Sequence, residues 1–413
     1  MTVTEMNERI LVSAPGKVIL FGEHSVVYQK TAVAASLGLR SYLYLEKRKD
    51  NVVQLILPDV NINKAWTLNE FPFRYNYPDS DTRHPNNMPI ELREKIDQLS
   101  GFSGKETDAK TQALTAFLYL LIILESKAKE PLTHGFTVCV RSFLPVGAGL
   151  GSSASFSVAI VTALLILNKM IPVDFNTSKS NDTASYLDLI NRYAFKAEEV
   201  IHGNPSGVDN AVATFGGAKT FMRGQGFTTL EGFYSLRLLL TNTKVPRSTN
   251  ALVAGVGEKR KKYPEVIEPM LDSMHQIAIH CRDAFKQLKK GELTKEGLMD
   301  QLEDLVTLNH CLLDGLGVSH PSLEKVREIT AQFGLKTKLT GAGGGGCSVT
   351  FIRDSVSQSL INEVMLKLRN EGFDCYQTSV GGIGADAVTL LQNETYQWLL
   401  EADRETLEHY FTK

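Results

Sequence analysis

Pro145-Val146-Gly147-Ala148-Gly149-Leu150-Gly151-Ser152-Ser153-Ala154-Ser155 is the stretch on which the reading of this chain turns. Before it, residues 135–144 alternate Phe136, Val138 and Val140 with Thr137, Cys139 and Arg141, the period of a half-buried strand. After it, residues 156–167 are mostly apolar and free of Gly and Pro, as in a buried helix. A glycine-rich loop therefore joins a strand to a helix N-terminus, with Ser152, Ser153 or Ser155 expected as its cap. The first turn of such a helix offers free N–H groups and roughly +0.5 of an elementary charge. Glycines let those amides approach an anion closely. Together these features make a candidate phosphate cradle. It is not the common P-loop, because no Gly-Lys-Ser/Thr follows the glycines. It also lacks the acidic residue that ends the second strand of a dinucleotide site.

Two further unusual stretches accompany it, Ser13-Ala14-Pro15-Gly16-Lys17 and Gly341-Ala342-Gly343-Gly344-Gly345-Gly346-Cys347. Ordering a glycine run is costly. Two explanations stand side by side: close approach of the backbone to a ligand, or a hinge.

The chain has 413 residues, room for two or three domains. Hydrophobic residues at 43% and charged residues at 22% are the balance of a globular protein, and the net charge of −2 gives no bias toward nucleic acid or an anionic membrane. Lys259-Arg260-Lys261-Lys262 reads as a solvated helix face. The five cysteines are scattered without Cys-x-x-Cys, which argues for a reducing compartment and against a disulfide framework or zinc cluster. Residues 1–9 are neither a signal nor a transit peptide, so a cytoplasmic location is expected. The longest apolar run, 113–124, is too short to span a bilayer and reads as a core helix, so no membrane partner is expected.

In chain order, residues 11–21 read as a strand, a turn at Pro15-Gly16 and a second strand, followed by strands over 32–45 and 52–57. Residues 76–103 form a polar excursion with one short helix over 90–99. A helix over 184–201 ends at His202-Gly203, and 211–222 reads as strand-like. Gly224 to Gly226 is the candidate boundary, giving domains 1–230 and 231–413. Beyond it, four helices over 248–333, the glycine run and further strands mix in an α+β sandwich.

A phosphate cradle calls for a cation, a metal and an acceptor. Ser153 stands where a hydroxyl would meet Mg²⁺, which takes hard oxygen ligands. Glu198 and Glu199 are helical neighbours pointing in different directions, so at most one faces a site. Asp209, read in a loop after Gly207, either accepts a proton from a substrate hydroxyl or closes an Asx-turn. Lys17 enters an apolar strand, either as a cation aimed at a pocket or as an edge-strand lysine. Beside Asp209 it would lower the carboxylate pKa and steady the attacking oxygen.

Residues 13–17, 145–154 and 338–347 together resemble the three motifs of the GHMP kinases, in order and spacing across most of the chain. Within them the chain is most similar to the mevalonate kinase subfamily, and in wording to its fungal members. The similarity rests on Ser13-Ala14-Pro15-Gly16-Lys17-Val18-Ile19-Leu20-Phe21-Gly22-Glu23-His24, on Ile201-His202-Gly203-Asn204-Pro205-Ser206-Gly207-Val208-Asp209-Asn210-Ala211 and on Thr243-Lys244-Val245-Pro246-Arg247-Ser248-Thr249. It extends to Gly317-Val318-Ser319-His320-Pro321.

The resemblance implies ATP- and Mg²⁺-dependent phosphorylation of the C5 hydroxyl of mevalonate, a step of isoprenoid and sterol biosynthesis. It implies an N-terminal domain like ribosomal protein S5 domain 2 and a C-terminal ferredoxin-like domain, with the substrates between them. It makes Asp209 the base and Lys17 its electrostatic partner, both against the substrate. It makes Gly147, Ala148, Gly149, Leu150, Gly151, Ser152, Ser153, Gly343 and Gly344 the ATP-binding residues. Ser153 and Glu198 become the metal ligands, with Glu199 standing where other members often carry Arg. Glu23, His24 and Thr249 become substrate contacts. A homodimer and inhibition by farnesyl or geranyl diphosphate are further expectations of the resemblance. Two alternatives remain: a GHMP kinase for another small alcohol such as phosphomevalonate or homoserine, and a non-catalytic sensor on the same fold.

Overall fold

The computed structural model describes residues 9–73, 88–102, 108–145, 147–176, 182–203, 205–391 and 393–411. Residues 76–87 and Ser103 of the 76–103 excursion lie outside them, as do Val146 and Asn204.

The first half runs β1 (Arg9–Phe21), β2 (Ala32–Lys47), β3 (Val52–Leu57), β4 (Ile62–Thr67), α1 (Ile90–Ser100), α2 (Ala109–Ser126), β5 (Phe136–Ser142), α3 (Ser152–Leu167), α4 (Asp182–His202), α5 (Val208–Phe215), β6 (Ala218–Met222) and β7 (Gly226–Thr229). The second half runs β8 (Leu236–Asn242), α6 (Thr249–Lys262), α7 (Pro264–Lys290), α8 (Lys295–Gly315), α9 (Pro321–Ala331), β9 (Thr337–Leu339), β10 (Cys347–Ile352), α10 (Gln358–Asn370), β11 (Asp374–Val380), β12 (Asp386–Thr389), α11 (Tyr396–Glu401) and α12 (Arg404–His409).

The described strands form one sheet, with a spine in the order β4-β3-β5-β2-β11-β8-β10-β9. All pairings are antiparallel except β3 with β5. β1 lies along β2 and also takes up β12 from the far end of the chain. Helices α1 to α4 pack on the N-terminal part of the sheet over one apolar core containing Leu43, Phe117, Val138, Ile160 and Ala194. α7 and α8 close a second core with β8, β10 and the loop before α3, through Leu238, Phe285, Leu302, Leu144 and Leu150. By length and composition alone α2 could cross a membrane, because the helix extends the 113–124 apolar run to 18 residues. It is packed instead, with most of its residues buried against its neighbours.

Three local expectations are corrected. Pro15-Gly16 is not a turn: β1 runs straight through it, with a shift of register against β2 at that step. The bulge lets Gly16 come so close to the cradle loop that a Cβ there would lie 2.7 Å from the Leu150 carbonyl. Residues 211–222 are not a strand throughout: Val208, Ala211, Val212 and Phe215 recur at helical spacing, so α5 precedes β6. Asp209 therefore sits in the first turn of a helix capped by Gly207 at φ 80°, not in a loop. No serine caps α3 either. Gly151, in the left-handed region at φ 73°, takes the cap position, and the three serines make other bonds or line the site.

Candidate active site

Lys17, Asp209 and the cradle loop meet in a cavity of about 670 Å³. Its walls come from β1, the 22–27 segment, the 147–153 loop, the end of α4, the start of α5, the start of α6 and Gly341-Ala342.

The cradle loop is built by alternation. Gly147, Gly149 and Gly151 all have positive φ and line the cavity, while Ala148 and Leu150 turn into the second core as anchors. Two bonds fix its backbone: Lys17 N–H donates to the Leu150 carbonyl at 2.8 Å, and Arg247 Nη2 donates to the Ala148 carbonyl at 2.7 Å. The loop feeds α3, so the positive end of that helix faces the cavity beside Ser152 and Ser153. Of the residues assigned to the nucleotide, Ala148 contributes to the core rather than to the cavity wall.

Lys17 Nζ lies 3.2 Å from Asp209 Oδ1. The lysine side chain is almost buried and the aspartate is 38% exposed, so the carboxylate is held from behind and open in front. Close by, Glu198 is buried and accepts from Ser153 Oγ at 3.0 Å and from Ser157 Oγ at 3.1 Å. Burial first, and then the neighbouring charge of Asp209, push its pKa up to about 7, against the pull of both serines and Lys17. A carboxylate so placed is short of positive charge. It sits beside a hydroxyl at the cavity wall, and together they form the hard oxygen pair that a small divalent cation accepts when phosphate oxygens complete the shell. Glu199, one position on, is half-buried and faces elsewhere.

His24 is held at φ 58°. Its Nε2 lies 2.8 Å from the Ala342 carbonyl, which can only accept, so Nε2 carries the proton and Nδ1 is a free acceptor with no partner among the described residues. Burial lowers its pKa and keeps the ring neutral. Glu23 also reaches the cavity wall, yet both its oxygens are engaged: one by Lys338 in a fully buried ion pair, the other by Asn309 Nδ2 at 3.0 Å. Burial drives both members of that pair toward neutrality and their mutual attraction opposes it. Thr249, the first residue of α6, is exposed at the wall.

Gly343 and Gly344 are not on the wall. A Cβ on Gly343 would lie 2.0 Å from the Val318 carbonyl, and one on Gly344 would lie 2.8 Å from Leu252 Cδ1. The glycine run thus approaches the protein's own chain.

The chain matches two family models, "GHMP kinases N terminal domain" over residues 115–217 and "GHMP kinases C terminal" over 285–368. The mevalonate kinase of Homo sapiens is 39% identical over 402 residues, covering 95% of this chain and 99% of that one. The chain belongs to the mevalonate kinase family. The Candida albicans mevalonate kinase is 40% identical over 91% of this chain and 88% of its own, so mammalian and fungal relatives stand at similar identity. Among solved structures, L. major mevalonate kinase in complex with R-mevalonate superposes with a TM-score of 0.64 at 25% identity, covering 90% of this chain and 96% of that one. The Methanococcus jannaschii mevalonate kinase gives 0.65 at 23%, over 90% and 98%, which supports the fold alone.

Within this mevalonate kinase family fold, sequence reasoning missed three wall or support residues. His202, read only as a helix end, lies one turn beyond Glu198 and places Nε2 3.0 Å from Ser153 Oγ. Ser157 supports Glu198 from one turn beyond Ser153. Arg247 joins two loops. The i, i+4 spacings of Glu198 with His202 and of Ser153 with Ser157 were the signals available.

Proposed function

We propose that this chain transfers the γ-phosphoryl group of ATP to the C5 hydroxyl of (R)-mevalonate. The observation that carries the reading is the Lys17–Asp209 pair, 3.2 Å apart, in the same cavity as the glycine cradle. Membership of the mevalonate kinase family supports the choice of alcohol.

Asp209 accepts the hydroxyl proton as the alcohol oxygen attacks, and Lys17 holds the carboxylate in line. The amides of 147–153 and the start of α3 take the phosphate oxygens. The apolar end of the cavity, with Leu57, Val60, Val140, Phe156 and Ile201, suits the nucleotide base. Ser153 and Glu198 would hold Mg²⁺, which when bound would neutralise phosphate charge. His24, at the cavity wall, belongs to the substrate side. Thr249 belongs to the substrate side and Glu23 supports it through the buried pair. The division into 1–230 and 231–413, a cytoplasmic homodimer, and inhibition by farnesyl or geranyl diphosphate belong to the same proposal.

ADP release with Mg-ATP and a panel of mevalonate, phosphomevalonate, homoserine and galactose tests it. Turnover of mevalonate alone is expected. Preference for another alcohol would overturn the substrate, and no turnover at all would point to a sensor.

A further inference from the structure

Arg247 lies where the cradle loop and the 341–346 glycine run meet. Its Nη2 donates to the Ala148 carbonyl at 2.7 Å and its Nη1 to the Gly345 carbonyl at 3.3 Å. Two glycines, Gly149 and Gly346, leave room that a Cβ would take, and Gly341 lies at ordinary contact distance. A Cβ on Gly149 would lie 2.2 Å from Nη2, one on Gly346 2.1 Å from Nη1, and one on Gly341 3.4 Å from Nη2. Gly346 in the run and Gly149 in the cradle loop thus border this guanidinium directly.

Two carbonyls do not satisfy it. A guanidinium has five N–H donors, and the remainder make no hydrogen bond to a described residue. No carboxylate lies in contact with it among the described residues, although burial disfavours its charge. A half-buried cation without a counter-charge is expensive. If Arg247 only clasped two loops, a neutral donor would do as well at lower cost. The residue also lines the cavity that holds Lys17, Asp209 and Thr249. The missing anion is thus one that arrives with substrate.

We propose that Arg247 is a catalytic residue that donates to the phosphoryl oxygens during transfer, a cation supplied from the same chain. The proposal rests on the phosphotransfer reading above. In that step the alcohol oxygen bonds to the γ-phosphorus, its proton passes to Asp209, and the bond from the γ-phosphorus to the bridging oxygen breaks to release ADP. Arg247 meets charge on the oxygens that are not exchanged. Because it is tied to both glycine loops, its position also depends on their being closed together.

Steady-state kinetics of Arg247→Gln and Arg247→Lys beside the wild type, with Mg-ATP and (R)-mevalonate, test this. For the Gln variant kcat should fall about 10³-fold, the scale of a lost arginine in phosphoryl transfer, with a much smaller change in KM for ATP. Methylguanidinium in the assay should restore part of that rate. The Lys variant keeps the charge but not the fork and should lose at least about tenfold in kcat. A mere clasp would lower the melting temperature or raise KM and leave kcat and the rescue untouched. A kcat within about threefold of wild type in either folded variant overturns the proposal. Should the Gln variant fail to fold, the Lys variant decides alone. An inactive wild type sinks the phosphotransfer reading and this proposal with it, whereas an active wild type with unaffected variants sinks this proposal alone.

Discussion

Glu198 and Glu199 differ by about 100° around α4, and that rotation separates their roles. Glu198 is turned inward onto Ser153 and Ser157, where burial and the neighbouring Asp209 disfavour its charge. Glu199 is turned away. Glu198→Gln should therefore raise the Mg²⁺ concentration for half-maximal rate by about tenfold or more, while Glu199→Gln leaves it unchanged. The reverse pattern in a Mg²⁺ titration would put the ligand one residue on. Spacing alone left both glutamates open, because a single helix position cannot be resolved without knowing where the helix faces, and only the family resemblance singled out Glu198. The lone polar residues Lys17 and Asp209 were legible as candidates, since each breaks an apolar or turn-rich context. Their 3.2 Å approach was not legible from spacing, because it joins residues 192 positions apart, and only the family resemblance paired them.

Local patterns fixed most elements, and they failed where two readings shared one pattern. Residues 211–222 read as strand-like, and only the Val208, Ala211, Val212, Phe215 spacing betrays the helix. The Pro15-Gly16 bulge looked like a turn because both use the same residues. α2 carries a prediction of its own. Its Glu125 accepts from Leu132 N–H at 2.7 Å through one oxygen, while the other is buried without a partner among the described residues. Burial raises its pKa from 4.5 to about 7. The folded protein then holds this proton more tightly than the unfolded chain. The stabilising effect of the protonated form is complete below about pH 4.5 and is lost as pH rises through about 7. Glu125→Gln should raise the melting temperature at pH 8 by about 2 °C or more and leave it nearly unchanged at pH 4. Equal shifts at both pH values, read by calorimetry, would reject the ionisation argument.

At the scale of the molecule, the chain's far end returns to its beginning. β12 pairs with β1, and buried Arg40 on β2 donates to the carbonyls of Ile383 and Gly384. The Glu23–Lys338 pair links the His24 segment to β9 just before the glycine run. These ties bring Lys17, the cradle loop, Asp209 and Thr249 to one cavity, and no periodicity in the sequence announces them. The three motifs were legible as motifs, but their meeting was not, since it depends on pairings across more than 300 residues. The central claim is that this meeting makes Asp209 the base of a phosphotransfer to mevalonate. A single-turnover measurement of ADP formation with saturating Mg-ATP and (R)-mevalonate, on wild type and Asp209→Ala, tests it most directly. The account predicts turnover by the wild type and a rate at least about 10²-fold lower in the variant, with nucleotide binding retained. A variant that forms ADP at close to the wild-type rate would contradict it.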